Sequence, residues 1–197
     1  MNNIVAFIIG VASSLFASYL LYCYGLFAKF IPPKFRKSFD REYKNQHKAL
    51  KSIQKDAKIS NTLRVVAMKG DTFSNPESGD LRNLLIEGPS QQRYLISDPN
   101  NPYVEQRGKE LNNTALKSGI ENSIHCFNDV ISNKPNKSIK LHNEILRFRL
   151  IIFDHCLYLS FQSTNTPGRR SPMQRYGKNS SGYLALEAFF EDLWKKY

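Results

Sequence analysis

Two arginines, an aspartate and a histidine in the last third of the chain are the residues best suited to chemistry. Arg147 and Arg149 are separated by one residue, and Asp154 and His155 follow closely. Side chains two positions apart on a strand point to the same face, so both guanidinium groups could hold one phosphate or carboxylate. A pair of solvated or salt-bridged arginines on an exposed strand is the alternative. Because Arg149 has apolar neighbours, we favour a ligand for this residue.

Two further segments offer charged groups for the same task. Lys69 and Asp71 follow one predicted strand and Asp98 ends the next, where open α/β sheets place their ligand crevice. Ordinary turn chemistry would also explain both aspartates. Residues 166–172, TPGRRSP, form either a turn that closes over an anion or a plain surface loop. The predicted ligand-binding residues are Lys69, Asp71, Arg147, Arg149, Asp154, Arg169 and Arg170.

The cysteines and histidines show no spacing that indicates a metal site. The cysteines are odd in number and form no C-x-x-C pair, and the histidines lack metal-ligand spacing. The P-loop, hydrolase-elbow and zincin patterns are also missing from the sequence. We therefore predict no metal, no cofactor and no catalytic residue. The residues concerned are Cys23, Cys126, Cys156, His47, His125, His142 and His155.

The candidate residues must be positioned by alternating strands and helices. Residues 62–68, TLRVVAM, and 93–97 are predicted strands, each followed by turn formers and a helical segment. Three more strands are predicted at 138–142, 146–153 and 156–162, with a polar loop at 163–182 and a final helix at 183–194. This pattern predicts an α/β fold with a mixed sheet and helices on both faces.

The predicted order of elements is β-α-β-α-β-β-β-α. The second strand leads into YLISDPNNPYVEQRGKEL, and the last two strands carry LRFRLIIFDHCLYLSFQSTN. Over about residues 63–194, this pattern resembles one half of the phospholipase D superfamily. The signature of that family is His-x-Lys followed, after four intervening residues, by an Asp. Its histidine attacks phosphorus, its lysine neutralises the phosphoryl oxygens, and its aspartate supports the histidine. Aligned on Asp154, the first two positions fall on Arg147 and Arg149.

An arginine cannot be the nucleophile of this chemistry, because a guanidinium group stays protonated. The Gly-Ser that follows the family motif is also replaced, by Phe161 and Gln162. His155 could act as a substitute base, but neighbours in a strand or hairpin usually point to different sides. The resemblance therefore implies a non-catalytic domain that binds a phosphate-bearing ligand, a nucleotide or a nucleic acid. The alternatives are a dimeric membrane-bound phosphodiesterase or nuclease, and an anchored protein-interaction module.

The N-terminal part of the chain has a different character. Residues 4–28 contain no charge and are numerous enough for a helix to cross a bilayer. Only Met-Asn-Asn precedes this run, which disfavours a cleaved signal peptide. Lysines and arginines follow it, which predicts a cytoplasmic C-terminal side. We predict a transmembrane anchor at 1–31, a basic juxtamembrane linker helix at 32–60, and a cytosolic phospholipase D-like α/β domain at 61–197. The predicted location is the inner membrane, with the N-terminus outside.

A strip of small residues at every fourth position predicts self-association of this helix, although chance is an equal explanation. The formal net charge is +11, and residues 29–58 hold ten Lys or Arg against three acidic residues. Such a segment is attracted to anionic lipid headgroups or nucleic acid, or is simply a topology signal with a solvated helix face. The architecture is similar to that of membrane effectors in bacterial anti-phage systems, and we expect a sensor or effector. The strip comprises Ala6, Gly10, Ser14 and Ser18.

Overall fold

A seven-stranded mixed sheet with the order β1-β7-β6-β5-β2-β3-β4 carries helices on both faces. The computed structural model describes residues 39–77, 79–163, 166 and 168–197. The strands are β1 Arg41–Tyr43, β2 Thr62–Ala67, β3 Gln91–Ser97, β4 Lys137–His142, β5 Phe148–Phe153, β6 Cys156–Phe161 and β7 Met173–Gly177. The helices are α1 Gln46–Lys58, α2 Asp71–Ser74, α3 Arg82–Glu87, α4 Pro102–Glu110, α5 Leu116–Ile131 and α6 Ser181–Lys196.

The sheet is parallel on one side and antiparallel on the other. Strands β2, β3 and β4 pair in parallel, and the chain between them passes through helices, as parallel pairing requires. Strands β5, β6 and β7 pair antiparallel, and the β5–β6 hairpin turns at Asp154 and His155. Strand β5 runs antiparallel to β2, so the start of β5 lies beside the end of β2.

The two faces of the sheet bury different hydrophobic clusters because successive side chains of a strand point in opposite directions. Val65 and Ile151 pack on the face that α1, α2, α3, α4 and α5 cover. Val66 and Ile152 pack on the other face against α6. The central strands β2, β5 and β6 are apolar on both faces, which explains their continuous hydrophobic sequences.

Two adjacent strands at one side of the sheet lie where the sequence predicted none. Strand β1 occupies part of the segment predicted as a linker helix, and β7 occupies part of the stretch predicted as a loop. The two strands pair with each other, and β7 also pairs with β6. Their sequences, REY and MQRYG, are short and carry several polar residues, so their strand signals are weak; β1 is the edge strand, and β7 lies between β1 and β6.

The polar helix α1 packs against the sheet. The compact unit that contains the sheet begins at Phe39. Asn45 caps α1 by accepting a hydrogen bond from the Lys48 backbone N–H, and the side chains of Ala49 and Ile53 are fully buried. A narrow apolar stripe was thus sufficient to bury one side of this lysine-rich helix.

The membrane architecture needs correction. None of the helices formed by the described residues is long and apolar enough to cross a bilayer. The predicted fold class with its transmembrane helix, the membrane assignment and the inner-membrane location are therefore wrong. The predicted anchor at 1–31, with its strip of small residues, lies outside the described residues.

Candidate anion-binding site

Arg149 lies at the start of β5, at the end of the sheet where the carboxyl end of β2 lies. It pairs with Ser160 of β6 and is only 8% exposed. Directly beyond β2 the chain turns at Gly70, which has a φ of 75°. A Cβ at this position would lie 2.8 Å from side-chain atoms of Ile96 and Phe127, so only glycine fits the turn. The turn places Lys69 and Asp71 beside the start of β5.

Asp71 is shared by two cations from different parts of the chain. Its Oδ2 lies 2.9 Å from Arg169 Nη2 and 3.4 Å from Lys69 Nζ. Arg149 is close enough to Asp71 and Arg169 for both charges to affect its pKa. We call Lys69, Asp71, Arg149 and Arg169 the Arg149 site. Three cations therefore surround one carboxylate, with the exposed Asp80 as a further nearby acid.

The charge of Arg149 is buried and incompletely paired. Burial lowers the pKa of Arg149 to about 10, Asp71 opposes this decrease, and Arg169 adds to it. The guanidinium Nη1 is buried and has no hydrogen-bond partner among the residues that the structure describes. Burying a charge without such bonds is costly, and an anion bound at this nitrogen would offset that cost.

Two backbone carbonyls of the segment after residue 167 accept hydrogen bonds from the rest of the fold. The Gln46 backbone N–H donates to the Arg169 carbonyl at 3.3 Å, and Ser160 Oγ donates to the Gly168 carbonyl at 3.4 Å. The hydroxyl groups of Thr72 and Ser171, which adjoin Asp71 and Arg170 in sequence, are buried and lack partners within the described chain. Neutral donors are thus available in the same two segments that supply the cations.

The other predicted ligand residues do not join this site. Arg147, which lies just before β5, donates to Glu110 Oε1 at 2.6 Å and lies over the Tyr103 ring. Glu110 raises the pKa of Arg147. Asp154 accepts hydrogen bonds from Asn61 and from Thr62 at the start of β2, so it lies at the opposite end of the strands from Arg149. Arg170 is exposed.

A second polar cluster lies at the same end of the strands as Asp154. Asp56 Oδ2 accepts hydrogen bonds from Tyr158 OH at 2.6 Å, Arg175 Nε at 2.9 Å and Cys156 Sγ at 3.1 Å. Asp56 Oδ1 lies 3.2 Å from His155 Nε2. Burial by itself would raise the pKa of Asp56, but the hydrogen bonds, led by that of Arg175, hold it well below its usual value.

The sequence offered no signal for this cluster. Asp56 belongs to the segment predicted as a linker, and Arg175 belongs to the stretch predicted as a loop. Burial, with hydrogen bonding to Asp56, raises the pKa of the Cys156 thiol far above its usual value. Asp56 and Cys156 lie 100 residues apart in the chain, so only the fold brings them together.

Comparisons with known proteins leave the family of this chain open. No family model matches the chain, and no curated protein matches it. Among solved structures, it is similar to TrmBL2, an archaeal chromatin protein with a novel mode of DNA binding, with a TM-score of 0.45 and 10% sequence identity. The similarity covers 94% of this chain and 64% of that protein, so this chain spans less than two thirds of its length. A similarity this weak supports no conclusion about function.

Proposed function

We propose that this protein binds a phosphate-bearing ligand, a nucleotide or a nucleic acid, at the Arg149 site without hydrolysing it. The observation that carries the proposal is the buried guanidinium of Arg149, whose Nη1 lacks a partner among the described residues. An arginine presents its N–H groups as a planar fork that matches phosphate oxygens. A phosphate group would supply the hydrogen bonds and the negative charge that Arg149 lacks.

The surrounding charges favour a phosphate over a neutral ligand. Lys69 and Arg169 share one carboxylate, that of Asp71, so two positive charges face one negative charge. A bound anion could interact with these cations and would balance the remaining positive charge. Their side chains are 35% and 38% exposed, which leaves them free to move towards a ligand. The overall charge of +11 also favours association with polyanions such as nucleic acids.

The geometry favours binding over catalysis. Arg149 cannot act as a nucleophile because its guanidinium stays protonated near neutral pH. Asp154 lies five residues after Arg149, directly beyond the end of β5, a distance of about 17 Å at ~3.3 Å per residue. His155, the possible substitute base, therefore lies too far from Arg149 for both residues to act on the same phosphate. We retain the resemblance to half of the phospholipase D superfamily within this proposal, and a role in sensing or anti-phage defence stays a prediction.

Two matched pairs of arginines allow a direct test. Binding of inorganic phosphate, ATP and a fluorescein-labelled DNA duplex would be measured by calorimetry and fluorescence anisotropy at fixed salt. We expect Arg149→Met to weaken binding about 10- to 100-fold, as loss of hydrogen bonds to a charged group implies. Arg147→Met removes the same side-chain type two residues before Arg149 and should change the affinity less than about twofold.

The second pair lies in one loop. Arg169→Ala should weaken binding, whereas Arg170→Ala should affect only the salt-dependent attraction of DNA. Equal effects of Arg149→Met and Arg147→Met would contradict the proposal, as would binding of none of the three probes. A preference for ATP would identify a nucleotide site, and a preference for the duplex would identify a nucleic-acid site.

A further inference from the structure

The cluster around Asp56 contains three groups that commonly bind transition metals. Asp56 lies in the last turn of α1, and His155 and Cys156 lie at the β5–β6 turn. One ligand atom from each residue lies within 4.8 Å of the other two. Asp56 Oδ1 lies 3.2 Å from His155 Nε2, and Asp56 Oδ2 lies 3.1 Å from Cys156 Sγ. Ligands of a tetrahedral zinc ion at ~2.0–2.3 Å stand about 3.3–3.7 Å apart, which is close to these separations.

Hydrogen bonding at Ser60 determines which nitrogen of His155 carries a proton. Ser60 Oγ donates its single proton to the Asp56 backbone carbonyl at 2.8 Å. His155 Nδ1 lies 3.2 Å from the same Oγ and must therefore donate to it. In a neutral imidazole the lone pair is then on Nε2, where it faces the Asp56 carboxylate. Two acceptors facing each other repel, and either a proton on Nε2 or a metal cation between the two groups removes this repulsion.

The groups behind the three residues resemble the supports of a metal site. Tyr158 OH and Arg175 Nε both donate to Asp56 Oδ2, which orients the carboxylate and leaves Oδ1 directed towards His155. Arg175 Nη1 is paired with Asp40 at 3.0 Å, so its charge is compensated from outside the cluster. The contact between His155 Nδ1 and Ser60 orients the imidazole in the way that metal-bound histidines are usually held.

We propose that Asp56 Oδ1, His155 Nε2 and Cys156 Sγ bind a zinc ion, with the fourth position open to solvent. A thiolate and an imidazole select zinc or a similar transition metal over magnesium or calcium, which prefer oxygen ligands. His155 has a side-chain exposure of 32%, whereas Asp56 and Cys156 are buried, so the ion would enter past the histidine. Binding replaces the thiol proton of Cys156, which is released to solvent. This site lies at the opposite end of the strands from Arg149 and is independent of the proposed function.

Cobalt provides a spectroscopic test. The full chain would be prepared with Cys23→Ser and Cys126→Ser, so that Cys156 is the single thiol, and titrated with cobalt(II) chloride. We expect one equivalent to produce visible bands of tetrahedral cobalt and a near-ultraviolet thiolate-to-cobalt band, and excess zinc to remove both. Cys156→Ser should abolish the thiolate band, and His155→Ala should weaken cobalt binding at least about tenfold. His125→Ala, at an exposed histidine outside the cluster, is the matched control and should bind normally.

Thermal unfolding with and without zinc chloride provides a second measurement. Zinc should raise the Tm of the protein, and His155→Ala should remove this increase while leaving a cooperative transition. Absence of the thiolate band in the single-cysteine chain would overturn the proposal. An unchanged zinc-dependent rise in Tm for His155→Ala would overturn it equally, even if Cys156→Ser did not fold.

Discussion

Replacing Arg149 by methionine should stabilise the protein when no anion is bound, although it alters a side chain in the interior. Burial lowers the pKa of Arg149 from 12.5 to about 10, with Asp71 opposing the decrease and Arg169 adding to it. At ~1.4 kcal/mol per pKa unit, the charged form costs about 3 kcal/mol in the folded state. Because the folded pKa is depressed, the free energy of unfolding should rise as the pH increases from about 10 towards 12.5.

Methionine is unbranched and uncharged, so it removes the buried charge and retains much of the apolar contact. We expect the free energy of unfolding to increase by about 1–2 kcal/mol, less than the full cost because the packing changes. For a chain of this size the increase corresponds to a Tm about 3–6 °C higher. Urea unfolding near neutral pH in phosphate-free buffer would measure the free energy of unfolding.

Phosphate should stabilise the wild-type protein more than it stabilises Arg149→Met. At ~100 times the wild-type dissociation constant it should stabilise the wild-type protein by about 2.7 kcal/mol, and Arg149→Met by only about 0.4–1.4 kcal/mol if its affinity is 10- to 100-fold weaker. Arg107→Met is the control, because Arg107 is fully buried but donates to Glu110 and to the Ser163 carbonyl. Breaking that pairing should destabilise the protein by about 3–5 kcal/mol. Destabilisation by Arg149→Met in phosphate-free buffer would refute the assignment of an uncompensated charge.

Three other changes test the elements that surround the sites. Gly70→Ala should cost about 2 kcal/mol in thermal unfolding, because alanine disfavours a positive φ and its Cβ would contact Ile96 and Phe127; an unchanged Tm would contradict the turn geometry. Burial lowers the pKa of His142 to about 4, so stability should decrease by up to ~3 kcal/mol as the pH falls from about 6.5 to 4, and His142→Gln should remove this slope in urea unfolding. Asp154→Ala should cost about 1–2 kcal/mol in urea unfolding through loss of its hydrogen bonds to the start of β2, and a neutral effect would argue against that role.

The elements that could be predicted were those with a strong local signal. Strands β2, β5 and β6 are rich in β-branched and apolar residues, and the sequence placed each within about two residues of its position in the structure. The break between α4 and α5 was also visible, because turn-forming residues interrupt the helical pattern there. The sequence did not predict strands β1 and β7, because they are stabilised by pairing with each other and with β6 and not by their own composition.

Part of the Arg149 site could be predicted because position along a strand determines which end of the sheet a residue occupies. Lys69 and Asp71 after β2, and Arg149 within β5, were candidates on those grounds. The spacing predicted that Arg147 shares a strand face with Arg149, although Arg147 precedes the first residue of β5 in the structure. It could not show that Glu110, from α4, would pair with Arg147 and hold it outside the site.

The amino-acid sequence by itself determined the apolar strands, the order of alternating elements and the presence of an arginine flanked by hydrophobic neighbours. The tertiary structure decided which charges meet. It left Arg149 buried with an unpaired nitrogen among the described residues, paired Arg147 with Glu110, and brought Asp56 to His155 across 99 residues of chain. Periodicity is a local property of neighbouring residues, whereas the partner of a charged group depends on segments that approach only after the sheet has formed.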